Sequence, residues 1–169
     1  MNISDTVPLP AIPKPSLLDH VVEIALDEVR RGVFEKSNNN NQGERIDEYQ
    51  MKANGVIGEK WCAKFVYWCF EQAAAKLLTK NPMPKIFGSA QLETWALREK
   101  KLTSSPAKGD ILILEHRHVG IVSGPATATG QFPSIEGNTW AGTNFQNRRE
   151  GVYALKKQKV AKCTFVRLA

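Results

Sequence analysis

The apolar pattern of this chain changes period near residue 105, and that change limits the folds open to it. Upstream, Leu18, Val21, Val22, Ala25, Leu26 and Val29 recur at helical spacing and would share one face. Ser16 is placed to cap that helix, with Asp19 completing a capping box, and Gly32 suits its C-terminal stop. Asn38 to Gly43 reads as a polar loop, and Ile46 to Ala53 as a short helix carrying Tyr49. A third helix begins near Cys62 and runs to about Leu78, ended by Asn81-Pro82-Met83-Pro84. Ser89 is placed to cap a fourth, reaching about Lys100. From Ser105 the texture is that of strands: Ile111 to Leu114, His118 to Ser123, Ser134 to Thr139, Gly151 to Leu155 and Val160 to Arg167. Helices first and strands second, with short turns between the strands, predict an α+β fold. N-terminal helices would pack on a C-terminal antiparallel sheet of about five strands.

At 169 residues the chain suits one domain, read as residues 16–169 behind a Pro-rich tail, residues 1–15. The tail holds Pro8, Pro10, Pro13 and Pro15 and should be extended. It has neither a basic start nor an apolar core, so it does not read as a secretory signal peptide. No apolar run approaches the roughly 18 residues of a membrane span. A net charge of +6 favours polyanionic partners. The basic residues are scattered, however, and no nucleic-acid signature accompanies them, so nucleic acid is not expected as a partner. The one dense cluster, Lys156-Lys157-Gln158-Lys159, reads as a solvated hairpin turn. Nothing marks an interface, and a monomer is the default.

Three cysteines, Cys62, Cys69 and Cys163, show no CxxC or Cys/His ligand spacing, which argues against zinc. Cys62 and Cys69 would be separated by about 10 Å of helix rise, too far for a disulfide, and Cys69 reads as a buried apolar residue. A helical cysteine is more often a small buried hydrophobe than a nucleophile. The position of Cys62 changes that balance. It follows the loop Gly55-Val56-Ile57-Gly58 and falls in the first turn of its helix, where the helix dipole stabilises an anion such as a thiolate. The same turn offers a backbone N–H for an oxyanion.

Of the three histidines, His20 reads as a surface residue. His116 and His118 are alternate residues, and residue pattern alone does not choose between them. His118 directly precedes Val119-Gly120-Ile121-Val122, so a sheet would hold it rigidly, which suits a general base better than a turn does. Glu136 and Asn138 flank Gly137, and strand alternation would put both on one face. Either could accept the N–H of His118 and fix its tautomer, while Gly137 would permit close backbone approach. Cysteine, then histidine, then an acid or amide is the order of a papain-like thiol enzyme.

Trp61-Cys62-Ala63, Phe65-Val66 and Trp68, then Gly109-Asp110-Ile111, His118-Val119-Gly120-Ile121-Val122 and Glu136-Gly137-Asn138 together resemble the CHAP domain. These are the cysteine, histidine-dependent amidohydrolases/peptidases, relatives of the NlpC/P60 enzymes. The resemblance covers roughly residues 16 to 169, with Phe165-Val166-Arg167 as a closing strand. It implies a papain-like fold and cleavage of an amide bond in bacterial peptidoglycan: in the stem peptide, in a cross-bridge, or between sugar and stem. By resemblance Cys62 matches the nucleophile, His118 the base, Glu136 the orienting member and Asn138 the accompanying polar residue. Tyr49 matches a tyrosine near the nucleophile of NlpC/P60 relatives and would help hold the oxyanion. Some CHAP enzymes bind calcium through acids before the cysteine. Asp47 and Glu48 alone do not make that motif, so no metal and no cofactor is expected. Delivery to the wall would then follow phage lysis or a secretion system, and an interbacterial toxin would need an immunity protein as partner. The rival readings are a thiol amidase acting on a small intracellular amide and a non-catalytic wall-binding module.

Overall fold

The computed structural model describes residues 13–37, 39–115, 117–142 and 148–168. Most of the Pro-rich tail and His116 therefore lie outside the described residues. Among these residues, four helices precede a single sheet. They are α1 (Leu17–Arg31), α2 (Glu44–Ala53), α3 (Cys62–Lys76) and α4 (Ser89–Arg98). The strands are β1 (Leu102–Thr103), β2 (Ile111–Leu114), β3 (His118–Val122), β4 (Gln131–Thr139), β5 (Gly151–Lys159) and β6 (Cys163–Val166). Their order is β1-β6-β2-β3-β4-β5, and every pairing is antiparallel. The architecture is α+β. No described helix is long and apolar enough to cross a membrane.

Local chemistry sets several boundaries. The Ser16 hydroxyl accepts from the Asp19 N–H at 3.2 Å, and the Asp19 carboxylate accepts from the Ser16 N–H at 2.9 Å, closing the expected capping box. Gly32 ends α1 in the left-handed conformation, φ 67°, which a glycine adopts at little cost. The start of α4 differs from expectation: Gly88 is the N-cap and Ser89 already lies within the helix.

The sheet has six strands rather than about five. The extra one, β1, is two residues long and shows no alternation that a sequence could reveal. It forms because Leu102 and Thr103 register against Val166 and Phe165 of β6. The Lys156–Lys159 segment is not a turn but the end of β5, with Gln158 opposite Phe132 and Lys159 opposite Gln131. β5 is an edge of the sheet, and lysines are at home on an edge strand. The turn falls instead on a 3₁₀ segment, Val160–Lys162, so β6 starts at Cys163, later than the sequence suggests.

The two faces of the sheet are covered unequally. Ile111, Ile113, Val119, Ile121 and Ile135 pack with α1, α2 and α3 into the main core. Leu112, Val122, Phe132 and Phe165 make a smaller cluster on the opposite face. Phe65, Phe70 and Trp61 are fully buried, and each large apolar side chain so placed contributes about 1.5–3 kcal/mol. Gly109-Asp110 serves this frame. Buried Asp110 takes a bidentate pair from Arg167, at 2.9 and 2.7 Å, tying the end of the chain to the start of β2.

Candidate active site

The chain leading into α3 is held by three clamps. Lys64, one of the buried residues of α3, donates to the Val56 carbonyl at 3.1 Å and pairs with Glu59 at 2.7 Å, fastening the preceding loop. Gly55 (φ 74°) and Gly58 (φ 88°) supply that loop's left-handed turns. Gln50 accepts from the Glu59 N–H at 3.1 Å. Trp61, the N-cap residue, donates its backbone N–H to Asn138 Oδ1 at 2.9 Å. Cys62 is the first residue of α3, as its sequence context suggested.

Helix and sheet meet at this point. Val119 and Gly137 face α3. A Cβ built on Gly137 would come within 2.6 Å of the Trp61 ring and 2.9 Å of Phe65, so β4 approaches this closely only through glycine. His118 opens β3, opposite Leu114 of β2. Its ring lies against the Cys62 sulfur, and its Nε2 lies 3.0 Å from Glu136 Oε2. At that distance the imidazolium and the carboxylate form an ion pair. With Nε2 turned to Glu136, Nδ1 is the nitrogen left to serve the sulfur. Glu136 is buried, and its other oxygen accepts from the Ser134 hydroxyl at 2.6 Å. Gly120 makes room for it, since a Cβ there would come within 2.6 Å of Glu136 Cγ.

The electrostatics follow from these contacts. Burial opposes the Cys62 thiolate. The hydrogen bond and charge of His118 outweigh it, helped by the backbone N–H groups of Val119 and Ala63, and the thiol is held below its ordinary value of 9.0. Burial likewise opposes a charged His118. The sulfur and the Glu136 carboxylate outweigh it and raise the imidazole to about 10. A thiolate–imidazolium pair flanked by a carboxylate is the state these shifts favour, and it can attack a carbonyl without a separate deprotonation. Cys62 as a residue remains partly exposed at the start of α3.

A family model described as the CHAP domain matches residues 53–138, just over half of the chain. The chain belongs to the CHAP domain family. Its members are cysteine- and histidine-dependent amidohydrolases/peptidases, and the matched span contains Cys62, His118, Glu136 and Asn138. It is shorter than the resemblance read from the sequence, which ran from residue 16 to 169. No curated protein and no solved structure matches the chain.

Within this CHAP domain, the structure brings Cys62, His118 and Glu136 into one group but does not add Asn138 to it. Asn138 adopts φ 56°, and the β4–β5 register slips between Glu136 and Thr139, so the expected alternation fails at that residue. Its amide Nδ2 lies 3.3 Å from Glu35, 3.1 Å from Asn41 and 3.1 Å from Glu150, while its oxygen holds the N-cap of α3. It does not receive the His118 N–H. Tyr49 is likewise displaced from the role expected of it. Its ring packs on Trp61, Phe65 and Trp68, fully buried, and its hydroxyl donates to Glu28 of α1. Burial and the Glu28 carboxylate push its pKa up, and the hydroxyl is already committed. An oxyanion donor cannot come from there.

Other residues of the site escaped the sequence reading. Ser134 lies two residues before Glu136 on one strand face, a spacing that could have found it. Glu35 and Glu150 gave no such signal, because their partners are remote in sequence. Cys69 is fully buried and Cys163 half-buried; both are free thiols, the latter raised to about 11 by burial and by Glu136 and Glu115. Among the described residues no cluster of His, Cys, Asp and Glu forms a metal cage.

Proposed function

We propose that this protein is a peptidoglycan hydrolase of papain-like fold, cleaving a wall amide through a Cys62 thioester. The observation that carries the reading is the Cys62–His118–Glu136 group, with its thiol pKa lowered and its imidazole pKa raised. In the first step the thiolate adds to the amide carbonyl carbon. The oxyanion is met by the backbone N–H of Cys62 at the start of α3. The imidazolium of His118 gives its proton to the leaving nitrogen, the C–N bond breaks, and an amine departs. In the second step neutral His118 takes a proton from water, and the hydroxide adds to the thioester. The C–S bond then breaks to release a carboxylic acid and restore the ion pair. Glu136 holds the ring and stabilises its charge throughout.

Two features favour a wall polymer over a small amide. Membership of the CHAP family suggests a peptidoglycan amidase or peptidase role in general, and a net charge of +6 would concentrate the protein on an anionic wall. The test is mass spectrometry of purified peptidoglycan after incubation with the protein. New fragments, with masses that name the broken bond, are expected. Intact walls of several chemotypes, with turnover of a soluble small amide instead, would move the assignment to a small-amide enzyme.

A further inference from the structure

Glu35 lies outside every helix and strand, next to Phe34, whose isolated bridge to Gly151 fastens this segment to β5. Its side chain is completely buried. Among the described residues its carboxylate is met by N–H groups rather than by a cation. Oε1 accepts from the Trp61 indole at 3.1 Å and from Asn138 Nδ2 at 3.3 Å, and Oε2 accepts from the Asn40 backbone N–H at 2.9 Å. A buried charge without a counter-ion is costly unless its hydrogen bonds are complete. Here each of the three comes from a different segment: the polar loop before α2, the N-cap of α3, and the end of β4.

The second of these bonds closes a circuit. Trp61 gives its indole N–H to Glu35 and its backbone N–H to Asn138, and the Asn138 amide, shared with Asn41 and Glu150, reaches back to Glu35. Trp61 immediately precedes Cys62, and Asn138 follows Glu136 by two residues. One carboxylate thus links the helix that carries the thiol to the strand that carries the acid. The family match begins at residue 53 and does not include it.

We propose that Glu35 is a positioning residue for the nucleophile, fixing the first turn of α3 against β3 and β4 so that Cys62 meets His118. This rests on the reading of Cys62 as the nucleophile. Glu35→Gln is the informative change. Glutamine matches the size but carries a single acceptor oxygen, so one of the three donors is left facing an NH₂ group.

The experiment measures carbamidomethylation of Cys62 by iodoacetamide against pH, read by mass spectrometry of the Cys62 peptide, beside kcat and KM on soluble wall fragments and a thermal melt. In Glu35→Gln the reactivity midpoint should move up toward 9.0, because His118 no longer holds the thiolate as well. On fragments, kcat should fall about 10- to 100-fold with KM within about threefold. A midpoint that stays in place, or moves down as if only a negative charge had been removed from the thiolate's surroundings, would overturn the proposal. Should Glu35→Gln fail to fold, Trp61→Phe removes one donor and keeps a packed ring. It should shift the midpoint in the same direction by less, and no shift would again overturn the role. An upward shift in a protein that leaves walls intact keeps the positioning role and removes only the wall-hydrolase reading.

Discussion

Replacing Glu136 by glutamine isolates the electrostatic part of the site. Glu136 is buried, with one oxygen 3.0 Å from His118 Nε2 and the other accepting from the Ser134 hydroxyl. At an effective dielectric near 20, unit charges about 3 Å apart attract by roughly 5.5 kcal/mol, which bounds the effect from above. Glutamine keeps its oxygen on Ser134 and turns its NH₂ toward Nε2. A neutral ring would then accept at Nε2 and carry its proton on Nδ1, pointing at the sulfur. That tautomer cannot act as base, and the imidazolium loses its carboxylate as well. A loss of kcat/KM between about 10²- and 10⁴-fold follows. Without the carboxylate the His118 pKa should fall from about 10 toward 6.5, and the Cys62 thiol should rise with it. Steady-state kinetics on wall fragments and the pH profile of Cys62 alkylation read the two effects separately. A Glu136→Gln protein within threefold of wild type, with an unmoved alkylation profile, would show that the carboxylate does not sustain the Cys62–His118 ion pair.

Tyr49→Phe should lower stability by about 1–3 kcal/mol, because Glu28 loses a buried hydrogen bond, and leave kcat within about twofold; a large fall in kcat at unchanged melting temperature would restore Tyr49 as an oxyanion donor. Gly120→Ala should push Glu136 aside, since the new Cβ would lie 2.6 Å from its Cγ and 3.2 Å from the Ile135 carbonyl. Denaturation should show a loss of about 1–3 kcal/mol, and kcat/KM should fall by about tenfold or more, whereas wild-type values in both would contradict the packing described. The pH dependence of kcat/KM should be bell-shaped, with both limbs belonging to the coupled pair. The acid limb rises as Cys62 becomes thiolate below 9.0, and the alkaline limb falls toward about 10 as His118 gives up the proton needed by the leaving group. A rate still climbing through pH 10 would mean that the proton donor is not His118.

Where the determinants are local, the sequence is a good guide. Ser16, Asp19 and Gly32 mark the ends of α1 through contacts within one turn. Cys62 could be placed at the start of α3 because two glycines and the onset of an apolar period lie beside it. His118 and Glu136 follow from strand position and the two-residue alternation of β4. The failures are those of non-local geometry. Asn138 departs from the alternation because a left-handed residue and a register slip intervene. The Tyr49 hydroxyl points to Glu28, 21 residues earlier, a partner set by how α1 and α2 both pack on α3. Glu35 meets Trp61 and Asn138 across 26 and 103 residues, and nothing near it in sequence announces a buried carboxylate. The lysine run in β5 reads as a turn only until the sheet order shows it on an edge.

In the proposed mechanism the Cys62 sulfur carries the acyl group of a wall amide. The most direct test is to incubate peptidoglycan fragments with wild-type protein and with Cys62→Ala, quench with acid, and analyse protein and products together by mass spectrometry. Amide cleavage by the wild type is expected, with an acyl adduct on the Cys62 peptide in the quenched sample, and neither product nor adduct from a folded Cys62→Ala protein. Cleavage by Cys62→Ala at the wild-type rate would contradict the mechanism.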